Sequence, residues 1–469
     1  MNRFNFARTS SEVEFQDKSR QWYVAWIRIG HESDMSKERD YPRIEMGVGE
    51  IFDRATRSQL LRDPFVEKIW GLVQNDELFR KSPDHLAQLR KQMTRDSLSF
   101  FARKSAYYAE LFERLDVAPR TAELEDLAKL AVPSDMLRGD GQKPLLIPDL
   151  DGEGECFQSS GTTGREPVKL YRSPIDLAIM VKANASLFEY VYGDVLEQDQ
   201  GIALFMAAPE LRHRLSFVAF VDLALESKGI ELIYGMDLQE GVEGSKPWQK
   251  LEPNLKRIMR FLKSKEEPKL FFTPPAGVYL MAKRMDELTT SKYIMQKLAT
   301  RSPPVRLGKG GTVVTGGGTK GFADLPPYDQ IVTLSRKHFT ARDKKGEKRP
   351  TPFMDVLGMT ETLTALIDRH GVMDKVPYPL SEVFLVDPRT FRPITEEGKE
   401  GVLCAFNPFT TSWLECFYPG DIMSWHSSER FYGKEFLFQR RLTIKEGWEL
   451  QRACGGSLEE MMRGQKGGD

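Results

Sequence analysis

Cysteine is scarce in this chain. Only Cys156, Cys404, Cys416 and Cys454 occur among 469 residues. None stands in a Cys-x-x-Cys pair, so neither a zinc site nor a disulfide framework is suggested, and a reduced, cytoplasmic setting is expected. Long apolar runs are missing too. No stretch approaches the about 18 apolar residues of a membrane-spanning helix. The opening MNRFNFARTSSEVEFQDKSR carries no apolar leader core, so no integral membrane segment is expected. Nor is there an excess of charge of one sign: 67 Lys and Arg against 68 Asp and Glu leave a formal net charge of −1. That balance gives no electrostatic reason for a nucleic-acid track or an anionic membrane surface. What remains is an ordinary globular composition, 40% hydrophobic and 29% charged, with length for two or three domains.

The texture changes along the chain. In RATRSQLLRDPFVEKIWGLVQN (54–75) and HLAQLRKQMTRDSLSFFARKSAYYAELFERL (85–115), apolar residues recur every three or four positions, as in amphipathic helices. From residue 143 onward, short apolar runs bounded by Gly and Pro alternate with helical stretches: GIALFMAAPE, IELIYGM, PKLFFTPPAG, GGTVVTGGGTKG, PFMDVLGMTE and SEVFLVD. This alternation predicts an α/β fold with strands in a buried sheet. TARDKKGEKRPTP (340–352) reads as a solvated loop, and Arg212, His213 and Arg214 in PELRHRLSF as a solvated turn. Cys404 and Cys416 lie in strand-like apolar settings and read as core.

One stretch stands apart, SSGTTGREPVKLYRS (159–173). Glycines let backbone N–H groups converge, hydroxyls add donors, and Arg165 and Lys169 supply positive charge, so the stretch reads either as a surface turn or as an anion cradle. It is not a Walker loop, because Gly161 and Gly164 are too close together and Arg165 follows Gly164. DLDGEG (149–154) begins like a calcium loop, but its twelfth position is Ser160 rather than Glu.

The stretch resembles the phosphate loop of the adenylate-forming superfamily, which includes acyl-CoA synthetases, firefly luciferase and peptide-synthetase adenylation domains. Ser159, Ser160, Gly161, Thr162, Thr163, Gly164 and then Pro167 and Lys169 follow that pattern, with an insertion before the Pro and Lys. Further motifs follow in the same order. TGGGTKGF (315–322), with Gly316, Gly317 and Gly318, stands where the family has the glycine-rich strand and turn of its adenine pocket. LGMTET (357–362), with Gly358, Met359, Thr360 and Glu361, resembles the family's Tyr-Gly-Met-Thr-Glu motif, with Leu357 in place of the aromatic that packs on adenine. YPGD (418–421) resembles its Tyr-x-x-Gly-Asp motif in compressed form. The resemblance implies ATP and Mg²⁺ as cofactors. Lys169 would hold the triphosphate with the glycine loop, Thr360 would contact the α-phosphate, Glu361 would help hold the metal, and Asp421 would accept from the ribose hydroxyls. A hydroxyl beside a carboxylate suits a metal-bound phosphoryl centre attacked by another carboxylate.

VVTGGGTKGF, DVLGMTET and ELQRACGGSL together resemble the acyl-protein synthetase of the bacterial luciferase fatty-acid reductase complex. In that family a Cys close to the C-terminus takes the acyl group from acyl-AMP. This implies Cys454 as nucleophile, with Arg452 two residues before it and Cys156 as competitor. Lys445 reads as an exposed hairpin lysine, although it could replace the catalytic Lys of the superfamily's swivelling C-terminal domain, for which the chain has no room. The expected organisation is a helical N-terminal region over 1–130, an adenylate-forming α/β catalytic domain over 131–428 and a short C-terminal segment over 429–469. The expected activity is ATP-dependent activation of a small carboxylic acid, fatty or aryl, to acyl-AMP, followed by acyl transfer through a cysteine thioester to a protein or other acceptor. The alternatives are a CoA- or amide-forming ligase without the covalent stage, or a non-catalytic adenylate-binding protein.

Overall fold

Proline and small capping residues set where the N-terminal helices begin. The computed structural model describes residues 46–442 except 149, 151–153, 160–166, 194–200, 214, 239–250, 291–303, 318–324, 344, 369–373 and 429–432, together with residue 446. Its first helices are Val48–Arg57, Pro64–Gln74, Pro83–Lys104, Ala106–Arg114 and Leu124–Leu130. Pro64 and Pro83 sit in the first turn, where a missing N–H costs nothing. Asp63 and Ser82 cap them, accepting from the Phe65 N–H (3.0 Å) and the His85 N–H (3.3 Å). The pattern expected over 54–75 is therefore split, since the residue before a proline is pushed out of helical geometry and Gln59–Arg62 makes a 3-10 turn instead. A second break falls at Ser105, whose backbone is extended (φ −141°, ψ 123°).

Aromatic rings pack these helices together: Phe65 on Phe100 (4.9 Å), Phe100 on Phe101 (5.2 Å) and Phe101 on Tyr108 (5.1 Å). The buried Tyr108 hydroxyl donates to the Leu145 carbonyl (2.7 Å) and accepts from the Leu414 N–H (3.0 Å). It thus ties the helices to two distant segments. Tyr108→Phe leaves both backbone groups without that partner and should lower stability by about 1–3 kcal/mol. A urea unfolding midpoint equal to that of the parent protein would show that the hydroxyl carries no such weight.

The described residues form two units, one of 46–193, 210–230 and 354 onward, the other of 201–209 and 231–353. In the second unit the strands Thr312–Gly316, Lys269–Thr273, Ile202–Phe205 and Glu231–Tyr234 pair in that order, all parallel. They are the apolar runs read from the sequence, and buried parallel strands need such runs because both faces are covered. Ile202, Leu204, Phe271 and Val313 share a core with Ile258, Phe261, Val278 and Ile331 from the helices Leu255–Lys263, Pro275–Thr290 and Tyr328–Ser335. The charge run expected as a loop forms a hairpin instead. Phe339–Arg342 pairs with Lys348–Arg349, and the Asp343 carboxylate closes the turn by accepting from the N–H groups of Lys345 (2.9 Å) and Glu347 (2.8 Å). Its charges still face solvent, with Arg342, Lys345, Glu347 and Lys348 exposed.

The first unit carries a mostly antiparallel sheet. Its order is Val132–Pro133, Cys416–Tyr418, Gly401–Phe406, Asp421–Ser428, Gly433–Arg441, Asp374–Val376, Leu366–Asp368 and Phe353–Leu357, with Glu382–Val386 also pairing Gly401–Phe406. Cys404 and Cys416 are buried within it, as expected. The helix Pro174–Val191 is capped by Ser173, and its first-turn Asp176 is fully buried. That carboxylate accepts from Thr411 N–H and Oγ1 (both 2.8 Å), Ser412 N–H (3.0 Å) and the Ser412 hydroxyl. Arg212 departs from the solvated turn expected of it. It is buried, its guanidinium donates to the Met46 carbonyl (2.8 Å), and its Nε lies 2.7 Å from Asp222 Oδ2. A charge this deep requires a partner of opposite sign, and Asp222, one helix later in the chain, provides it. His213 is exposed as expected, and Arg214 lies outside the described residues.

Candidate active site

The glycine-rich stretch lies in the chain between two paired strands. Glu155–Gln158 runs antiparallel to Lys169–Arg172, with Gln158 opposite Lys169 and Phe157 opposite Leu170. The two-residue period buries Phe157 and Leu170 and leaves Cys156 and Lys169 exposed. The last described rung is made by Ser159, whose N–H donates to the Val168 carbonyl (2.8 Å) and whose hydroxyl accepts from the Val168 N–H (3.0 Å). Ser159 therefore closes the loop. Lys169 begins the returning strand, immediately after it. Ser160, Gly161, Thr162, Thr163 and Gly164 lie outside the described residues. The hairpin is clamped from the side by Gln142, which accepts from Tyr171 N–H (2.6 Å) and donates to the Tyr171 carbonyl (3.2 Å). Gly154 fits against it because a Cβ there would meet the Arg172 carbonyl oxygen at 2.1 Å.

The same alternation turns Arg172 inward, where it is 2% exposed. Its guanidinium donates to Glu415 Oε2 (2.5 Å) and to the Thr360 carbonyl (2.9 Å). One side chain thus fastens the glycine-loop hairpin to the LGMTET segment. Glu415, fully buried, also accepts from Leu363 N–H (2.8 Å) and from the Asn407 amide, which donates in turn to the Thr362 hydroxyl (2.7 Å). Removing either ionic partner would strand a buried charge, so this pair holds the geometry of 360–364 firmly.

Within that segment, Leu357 and Met359 pack against the core cluster of Leu366, Leu385, Leu403 and Phe436. Gly358 lies under an aromatic ring, with Phe217 Cδ2 3.1 Å from where a Cβ would stand. Thr360 is half-buried. Glu361 is 8% exposed, and no hydrogen-bond or ion-pair partner for its carboxylate is found among the described residues. A carboxylate not engaged by other described side chains is open to a cation.

Asp421 opens the strand Asp421–Ser428 after Gly420, whose φ of 84° suits a glycine. Its carboxylate is fully buried, with Oδ1 2.8 Å from Arg441 Nε on the neighbouring strand. Gly316 and Gly317 belong to the other unit, at the end of the buried strand Thr312–Gly316. Gly317 has φ 83° with open space around it, so its backbone conformation rather than crowding calls for glycine. Gly318, Lys445, Arg452 and Cys454 lie outside the described residues. The Cys156 thiol is pushed up by partial burial, against the pull of nearby Lys169, and burial alone raises that of Cys416.

The structure thus joins the loop hairpin, Thr360 and Glu361 through Arg172. Sequence reasoning missed Arg172, Glu415 and Phe217. An Arg in a strand next to a polar loop reads as solvent-facing, and only the alternation from Leu170 to Arg172 hints otherwise.

No protein-family model matches the chain, and no curated protein matches it in sequence. Solved structures do match. An open conformation of 2-hydroxyisobutyryl-CoA ligase in complex with 2-HIB-AMP and CoA aligns with TM-score 0.52 and 14% identity over 76% of this chain and 71% of that one. The same ligase in its postadenylation state with R3-HIB-AMP aligns with TM-score 0.50 and 14% identity, over 88% and 75%. Among the described residues no helix is long and apolar enough to cross a membrane. The chain shares the mixed α/β fold of this CoA ligase, as the sequence predicted.

Proposed function

We propose that this protein uses ATP to activate a carboxylic acid as acyl-AMP and then transfers the acyl group through a thioester on Cys454 to an acceptor protein. The observation that carries the first step is the Arg172 guanidinium bridging the glycine-loop hairpin to the Thr360 carbonyl, with Glu361, which has no partner among the described residues, next in the chain. The loop residues Ser160 to Gly164 and Lys169 would receive the triphosphate, Thr360 would donate to the α-phosphate, and Asp421 would bind the ribose. Gly358 would border the adenine, and Phe217 against Gly358 is an aromatic surface that offsets Leu357. Glu361 would hold Mg²⁺, which when bound screens the negative charge that the acid and the phosphates bring together.

In adenylation the substrate carboxylate forms a bond to the α-phosphorus while the bond to the bridging oxygen breaks and pyrophosphate leaves. The chain's own part is to hold these groups in line. The motif resemblance to acyl-protein synthetases supports the second step, and a cytoplasmic location fits that reading. Direct transfer of the acyl group to CoA is the alternative favoured by the ligands of the structural neighbours. ATP–pyrophosphate exchange across a panel of aliphatic and aryl acids tests the activation step. Exchange with at least one acid is expected, and none with any would overturn the proposal in favour of a non-catalytic adenylate binder.

Asp421→Ala tests the ribose contact. The lost charge-assisted hydrogen bond, about 1.5–3 kcal/mol, is made in ground and transition states alike, so KM for ATP should rise about tenfold or more with kcat less affected. Because Arg441 now covers that carboxylate, Arg441 must yield to the ribose. An unchanged dependence on ATP would show that Asp421 serves only the Arg441 pair.

A further inference from the structure

Three neighbouring antiparallel strands, Asp374–Val376, Gly433–Arg441 and Asp421–Ser428, bring together side chains that no part of the proposed reaction uses. Residues opposite one another on paired strands share a face of the sheet. His426 stands opposite Glu435, and Asp374 stands opposite Leu437, two positions along from Glu435. Asp374, Glu435 and His426 therefore share one face. Phe436, Met423, Trp425 and Phe438 turn to the other and join the hydrophobic core there. Lys434 goes with them, lying 4.8 Å above the Trp425 ring.

One ligand atom from each of Asp374, His426 and Glu435 lies within 4.8 Å of the others, with Glu435 buried and the other two half-buried. His426 Nε2 is 4.0 Å from Glu435 Oε2. We propose that these three residues bind a divalent transition-metal ion of the Zn²⁺ class, which clips the three strands together. The donor set decides the class. One imidazole with two carboxylates suits Zn²⁺, whereas Mg²⁺ takes an oxygen octahedron and keeps its waters. Two carboxylates brought this close repel each other, and a shared dication turns that repulsion into attraction. The scaffold is stiff, since His426 and Glu435 stand on one rung of a long hairpin ladder. Tetrahedral bonds of about 2.0–2.1 Å set donors about 3.4 Å apart, so binding requires the half-buried Asp374 and His426 side chains to turn inward. The fourth position is left to water.

The test uses the full chain, stripped with a chelator and dialysed against low-micromolar Zn²⁺. Uptake of one Zn²⁺ per chain is expected, with the thermal midpoint raised by about 5 °C or more, and millimolar Mg²⁺ should give no such rise. His426→Ala and Asp374→Asn should each lose both the ion and the midpoint rise. Should His426→Ala fail to fold, the closer replacement His426→Gln carries the same expectation. No Zn²⁺ uptake by the parent protein, or uptake unchanged in both variants, would overturn the site.

Discussion

Glu361→Ala is expected to slow ATP–pyrophosphate exchange by about 10²-fold or more while leaving the thermal midpoint unchanged. The two readouts move apart for one physical reason. Glu361 makes no hydrogen bond or ion pair with the described residues, so its removal breaks no contact that holds the fold. Its charge, directed at a cation on the reacting phosphates, is worth most in the transition state. Lys169→Ala should give a similar loss of exchange. Lys169 is exposed on the first rung after the glycine loop, so its removal disturbs no packing, and a slower rate reports a lost interaction with the nucleotide. Near-normal exchange in both variants would sink the assignment of the loop and of the LGMTET motif together.

The second large effect concerns the acyl group. After incubation with ATP and a radiolabelled acid, a hydroxylamine-sensitive label is expected on the C-terminal peptide, absent from Cys454→Ala while exchange persists. In that step the thiolate forms a bond to the acyl carbon, the bond to the phosphate oxygen breaks, and AMP leaves with the electron pair. Chemistry narrows the choice of cysteine. Cys404 and Cys416 are buried in strands, and burial pushes the Cys416 thiol up, so little thiolate is presented there. Cys156 is exposed beside Lys169, yet partial burial of its sulfur still raises its pKa. Cys454, between Arg452 and two glycines, remains as the candidate. A label on Cys156, or full transfer to CoA by a Cys454→Ala variant that carries no label, would replace the thioester step with direct transfer.

The amino-acid sequence by itself determined the strands. Short apolar runs such as IALF, KLFFT and TVVTG, flanked by Gly and Pro, suit strands covered on both faces, and each became one. Proline and capping residues likewise placed the helix starts at Pro64 and Pro83. These are local effects, set within a few residues, and local spacing displays them. What joins the pieces was decided by tertiary structure alone. Arg172 reaches Thr360 and Glu415 across 188 and 243 residues of chain, Phe217 meets Gly358, and Arg441 covers Asp421. A charged residue in a short strand reads as exposed until the sheet fixes which way it points. Asp374, His426 and Glu435 carry no spacing signal, because only the pairing of three strands sets them on one face. Burial makes such polar contacts decisive, since a charge out of water must find its partner wherever the fold places one.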